Sequence, residues 1–127
     1  NGSDWVKDID SVAPITDGVS NELSVTPTED GRYFLTYTLL GISDKIGISV
    51  GKSPVGPFGE TTEVYTCPEY KEKGLLPYNA KAHYHLSKPG ELLVSYNTIT
   101  LNFWEDIQKD ATIYHPRFIK VNYQLVK

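Results

Sequence analysis

Methionine is absent from this chain, and cysteine occurs once. Without a methionine the sequence is not a complete translation product that keeps its initiator, so a mature form or a fragment is expected. Its start, Asn1-Gly2-Ser3, has neither a basic n-region nor an apolar h-region. A lone Cys67 cannot close an internal disulfide, which leaves the redox compartment open. No nearby His or Cys suggests a catalytic pair, so Cys67 reads as a passive, half-buried thiol. Long apolar runs are also missing. Stretches such as Leu92-Leu93-Val94 stop after three residues, so no membrane insertion is expected. Positive charge is in deficit, with 12 Lys and Arg against 16 Asp and Glu. The net charge of −4 argues against the electrostatic grip on phosphates that nucleic-acid binding needs. There is no phosphate-binding P-loop, no G-x-G-x-x-G, no H-E-x-x-H and no Ser-His-Asp order. No cofactor and no metal site are therefore assigned.

What is present is strand-like. Hydrophobic content of 39% with 22% charge fits a folded globular domain rather than a disordered one. Nine tyrosines, many Val, Ile, Leu and Thr, and frequent Gly and Pro suit an all-β fold. The chain also nearly repeats itself. Gly31-Arg32-Tyr33-Phe34-Leu35-Thr36-Tyr37 returns as Gly90-Glu91-Leu92-Leu93-Val94-Ser95-Tyr96, an offset of 59 residues. At the same offset Asn21 to Thr26 falls on Ala80 to His85. A period of roughly 50 residues built from strands reads as the blades of a β-propeller. Two copies are too few to close a ring of about 4–8 blades.

The pattern predicts a first four-stranded antiparallel blade over about 19–66. Its strands are Val19 to Val25, Arg32 to Leu40, Lys45 to Gly51 and Thr61 to Thr66, with a turn at Thr28 to Gly31. The two prolines of Ser53 to Gly59 keep that segment out of strand interiors. Cys67 to Pro77 reads as a polar connection. A second blade, over about 78–126, is predicted from strands Asn79 to Leu86, Glu91 to Thr100 and His115 to Val126. A short helical turn is expected at Asn102 to Ile107. The fourth strand of this blade is missing, and Trp5 to Val12 reads as the outer strand of a preceding blade.

In a propeller the first strand of each blade lines the central axis. That points to Asn21, Glu22 and Ser24, and to Lys81, His83 and His85 on one face of an alternating strand. His83-x-His85 allows metal ligation by two imidazoles, a substrate contact, or a hydrogen-bonded core histidine. Arg117 can clamp a carboxylate or donate to sugar hydroxyls, or it can form a salt bridge between blades. Asn97 can bind a ligand or cap a turn. Glu105-Asp106, beside Phe103 and Trp104, can form a glycan wall or be ordinary packing with a solvated charge pair. Glycoside hydrolysis needs two facing carboxylates, and the obvious partner for Glu22 is absent.

Several segments, in order, carry a resemblance. They are Asn21 to Thr26, Asp30 to Tyr33, Ser53-Pro54-Val55-Gly56-Pro57-Phe58, Tyr78-Asn79-Ala80-Lys81-Ala82-His83, Gly90 to Asn97, and Tyr114-His115-Pro116-Arg117-Phe118. Together they resemble the C-terminal blades of bacterial five-bladed β-propeller proteins related to glycoside hydrolases. The nearest likeness is to a domain-of-unknown-function family that includes endo-D-arabinanases; arabinanase, xylosidase and fructosidase propellers are more distant. The resemblance covers about residues 21–121. It implies a secreted or periplasmic protein acting on a polysaccharide or oligosaccharide, with its catalytic carboxylates on earlier blades. His83 and Arg117 would then line the site, with Lys81 and Asn97 as neighbours. The expected partners are the remaining blades of the same propeller or another copy of the chain. The rival expectations are a non-catalytic carbohydrate-binding or scaffold propeller, and a small β-sandwich for protein contacts.

Overall fold

The computed structural model describes residues 4–127, so the Asn1-Gly2-Ser3 start lies outside the described residues. Two antiparallel sheets form the fold. The first is a meander of β1 (Leu23–Pro27), β2 (Tyr33–Thr38), β3 (Lys45–Gly51) and β4 (Thr62–Thr66). A short helix, α1 (Glu69–Lys73), leads into the second sheet. That sheet contains β5 (Leu76–Ala82), β6 (Glu91–Ile99) and β7 (Arg117–Asn122), with helix α2 (Phe103–Lys109) between β6 and β7. The all-β class, the strand count of each sheet and the helical turn near Asn102 agree with the sequence pattern. Helix α1 was not anticipated; Gly74 closes it in the left-handed conformation at φ 65°.

Three expectations need correction. Trp5 to Val12 is not a strand. It holds only a 3₁₀ turn, Ile9–Ser11, capped by the Asp8 carboxylate, and Trp5, Ile9 and Val12 are all exposed. The last strand ends at Asn122 rather than Val126, because the chain turns through a 3₁₀ segment at Tyr123–Leu125. The first strand of the second sheet begins at Leu76 and stops at Ala82. His85 lies in a 3₁₀ turn, Tyr84–Leu86, so Lys81, His83 and His85 do not alternate along one strand. A β-bulge causes part of this shift. Tyr78 pairs with Asn97 and Lys81 with Ser95, so three steps of β5 match two of β6. Asn79 absorbs the extra residue at φ 57°, a conformation asparagine tolerates better than most side chains. The second hairpin is also longer. Val25 stands opposite Leu35, whereas Ala82 stands opposite Val94, which is two residues out of step with the 59-residue offset.

The core lies between the sheets. Phe34, Ile46 and Ile48 of the first sheet meet Ala80, Leu92, Val94, Tyr96 and Val121 of the second, and Cys67 and Val126 close its margins. The closest approach is at β5. The Ala80 N–H donates to Thr38 Oγ1 at 3.2 Å, and the Ala82 N–H donates to Ser24 Oγ at 2.8 Å. The faces are related in a directional way. Phe34, Thr36 and Thr38 face the second sheet, and Leu35 and Tyr37 alternate to the far side. Their repeat counterparts behave oppositely: Val94 and Tyr96 face the first sheet, while Leu93, Ser95 and Asn97 face away from it. The sheets are therefore stacked head to tail, not related by a mirror-like or two-fold pairing of equivalent faces.

Candidate functional site

The five residues singled out from the sequence separate into three places. Arg117 lies on the core side of the second sheet, directly opposite Tyr96. Its Nε donates to Glu69 Oε1 at 2.8 Å, and the two side chains are only 13% and 15% exposed. Nη1 donates to Thr98 Oγ1 at 2.6 Å and to the His115 carbonyl at 3.1 Å. The Tyr96 hydroxyl donates to Glu69 as well, and Thr98 Oγ1 donates to the Ile113 carbonyl. Arg117 thus forms a salt bridge, but within its own sheet and the helix that precedes it. The guanidinium clamps α1 and the loop after α2 onto the end of β6.

Burial pushes the Tyr96 phenol above its usual range, and hydrogen bonding to Glu69 pushes it further. Cys67 beside them is fully buried. Desolvation first, and then the Glu69 charge, raise its thiol from 9.0 to about 12. Such a thiol is inert. Cys67 should resist a thiol-specific reagent at pH 8 in the native protein and react fully in denaturant; rapid native labelling would contradict its burial. The unfolded chain releases the Cys67 proton near pH 9 while the folded chain retains it. This contribution to stability is intact below pH 9 and is lost as pH rises toward about 12. Urea midpoints measured across that range check it.

Lys81, His83 and Asn97 lie on the opposite face, away from the core. Lys81 and Ser95 are directly paired, as are Tyr78 and Asn97, so their side chains share that face. His83 closes β5 by donating its backbone N–H to the Leu93 carbonyl. Its Nε2 is 2.7 Å from Ser95 Oγ, and its ring is 6.2 Å from the ring of Phe118, which is 57% exposed in mid-strand. His83 is thereby a hydrogen-bonded, half-buried histidine. Among the described residues no group of three or more His, Cys, Asp or Glu side chains is arranged to hold a metal ion.

Glu22 stands at the third place, an exposed position just before β1. Here the structure gathers residues that were not singled out as a group. Tyr78, in the first half of β5, has its phenol raised to about 12. Burial is the main cause, followed by Tyr114 and by the negative charge of Glu22. The Tyr114 ring meets Phe103 edge-on at 5.0 Å, and Phe103 meets Trp104 at 5.1 Å. A shallow depression beside them is lined by Leu101, Asn102, Phe103, Trp104 and Glu105. One rim of the molecule therefore carries two neighbouring phenols, of which Tyr78 feels the charge of Glu22, and an aromatic shelf beside them. In the sequence Tyr78 and Tyr114 stand only within longer motifs. Their meeting depends on the bulge at Asn79 and on the α2 loop, and neither has a local sequence signal strong enough to place them together.

These features define an all-β protein of two stacked antiparallel sheets with a polar-aromatic rim. The chain belongs to the family described as Domain of unknown function (DUF5005), whose model matches residues 1–123. No curated protein matches it. Among solved structures it is similar to a "putative hydrolase" from Bacteroides ovatus ATCC 8483, at 27% sequence identity and a TM-score of 0.65. The match covers 85% of this chain and 28% of that one, so the chain spans less than a third of the length of its structural relative.

Proposed function

We propose that the chain forms two successive blades, about 19–66 and 78–126, of a five-bladed β-propeller related to glycoside hydrolases. In this reading it binds a glycan, and the carboxylates that hydrolyse it stand on other blades. The observation that carries the proposal is the head-to-tail stacking. Equivalent faces of the two sheets point the same way around, and a heterologous contact of this kind generates a ring when its rotation closes. The approach of β5 supports the same reading. Sheets packed as a sandwich run about 10 Å apart, too far for a backbone N–H of one to reach side-chain hydroxyls of the other at 2.8–3.2 Å. A wedge that narrows toward the first strands permits it. The likeness to the Bacteroides protein, called a hydrolase, adds the reaction class.

Within a ring, the outward face of the second sheet would be covered by the next blade. Asn97 corresponds to Thr38, which accepts the Ala80 N–H across the present interface. We therefore assign Asn97, Lys81 and His83 to contact with that next blade or with another copy of the chain. Arg117 acts as a clamp behind the site. Glu22 keeps its place toward the glycan, now joined by Tyr78 and Tyr114. Cleavage by the complete ring would be acid/base hydrolysis by two carboxylates. A secreted or periplasmic location suits a polysaccharide substrate. No helix of the described residues is long and apolar enough to cross a membrane.

The test is affinity electrophoresis in gels containing arabinan, arabinogalactan or xylan, with reducing ends assayed in parallel and molar mass measured by light scattering. The expected result is retardation without release of reducing ends, and association beyond 14.2 kDa. Release of reducing ends by this chain would overturn the placement of the carboxylates on other blades. No retardation in any gel would overturn the glycan reading. A clean monomer with a cooperative melt would favour a self-contained β-sandwich, which the single shared core of the two sheets also accommodates.

A further inference from the structure

The surface bearing Trp104 is the most conspicuous apolar feature that the fold does not use. Trp104, in the first turn of α2, is 78% exposed, and Leu101, two residues before the helix, is 90% exposed. Phe103 is half-buried, and it holds Trp104 on one side and Tyr114 on the other in edge-to-face contacts. Three rings thus form a continuous shelf whose geometry is fixed by ring-on-ring packing. The Tyr114 ring stands at one end of the shelf, and the Glu105 carboxylate lines the depression beside it. Exposed ring faces beside a phenol hydroxyl and a carboxylate suit a ligand with one C–H-rich face and hydroxyls at its edge.

We propose that Trp104, Phe103 and Tyr114 form a stacking subsite for a neutral saccharide ring, whose hydroxyls are read by the Tyr114 hydroxyl and the Glu105 carboxylate. The charge around the shelf decides for a neutral sugar. Glu105 lines the depression, and Asp106 follows it on α2. The nearest cation on the helix, Lys109, is held 3.7 Å from Asp106. A uronic acid or a sulfated sugar would meet uncompensated negative charge, whereas a neutral ring meets hydrogen-bond acceptors. The sequence offers the Glu105-Asp106 loop as a glycan wall or as plain packing. The placement of the two rings favours the wall, with the aromatic residues as its working surface and the acidic pair as its selectivity. The inference rests on the glycan reading above and names the subsite and ligand class within it.

Isothermal titration with arabino-, xylo-, gluco- and manno-oligosaccharides, and with oligogalacturonate as the acidic comparison, tests the assignment. At least one neutral oligosaccharide should bind the unaltered chain more tightly than oligogalacturonate does. Trp104→Ala should weaken that binding about tenfold, roughly the value of one good aromatic contact. Tyr114→Phe should weaken it less, because the ring stays and only the hydroxyl is lost. Trp104 is largely exposed, so its replacement should leave the melting temperature unchanged, and a control melt separates lost binding from lost fold. If a neutral glycan binds but neither substitution alters its affinity, the shelf is wrong and the glycan reading survives. Tighter binding of oligogalacturonate overturns the neutral assignment. No binding of any oligosaccharide overturns the subsite together with the glycan reading on which it rests.

Discussion

Phe34→Ala should lower the free energy of unfolding by about 3–5 kcal/mol, the range for removing a buried aromatic side chain. Phe34, the second residue of β2, is fully buried, paired with Thr26 on one side and Val50 on the other. Its ring faces the second sheet and meets the ring of Tyr123 edge-on at 5.2 Å, while the Arg32 guanidinium lies 4.9 Å over it. Arg32 also donates to the Val126 carbonyl, so this one corner ties the C-terminal turn back to the first sheet. Alanine would leave a cavity between the sheets and release that turn at the same time. Phe34→Leu keeps most of the apolar volume and should cost much less, about 1 kcal/mol. Urea titration followed by circular dichroism measures both. A loss below about 1 kcal/mol for Phe34→Ala would mean that the sheets do not pack as described.

The sequence makes β2, β3 and β4 of the first sheet legible because each is punctuated locally, whereas β1 runs Leu23–Pro27 and not from Val19 to Val25. Gly31 at φ 82° turns the first hairpin, and the alternation of Ile46, Ile48 and Val50 marks β3 from Lys45 to Gly51. The same signals fail at β5, where no turn residue announces a bulge inside Tyr78-Asn79-Ala80-Lys81. A strict period of two carries Lys81, His83 and His85 onto one face only if the strand continues. It stops at Ala82 because Ser87 Oγ donates to the His83 carbonyl and accepts from the Leu93 N–H, which closes a turn in place of the ladder. The sequence leaves Arg117 a choice between ligand contact and salt bridge, and its partner Glu69 decides it. That residue lies 48 positions earlier, in a helix that the sequence pattern presents as a polar connection. The rim of Glu22, Tyr78 and Tyr114 is harder still, since three separate elements supply it. Periodicity finds the elements; it does not find which of their ends converge.

The Glu69–Arg117 pair should carry the other large effect. Glu69→Ala removes an acceptor that takes hydrogen bonds from Arg117 Nε at 2.8 Å and from the Tyr96 hydroxyl at 2.9 Å. It leaves a guanidinium that is only 13% exposed without its counter-charge. Breaking a buried pair from one side costs about 3–5 kcal/mol, and the lower end is expected because Arg117 keeps Thr98 Oγ1 and the carbonyls of Thr112 and His115. Arg117→Ala should cost a similar amount, since it strands the carboxylate and also frees Thr98. The double variant should be less destabilised than the sum of the two, by about 0.5–3 kcal/mol, because the second change removes a charge that the first left unpaired. Replacing Glu69 by Gln keeps an acceptor for Tyr96 and should fall between wild type and Glu69→Ala. Strict additivity in the double-mutant cycle would show that the two groups do not act as a pair. Subadditivity would establish Arg117 as the clamp that holds α1 and the loop after α2 in place, and the rim carrying Tyr114 depends on that loop for its geometry.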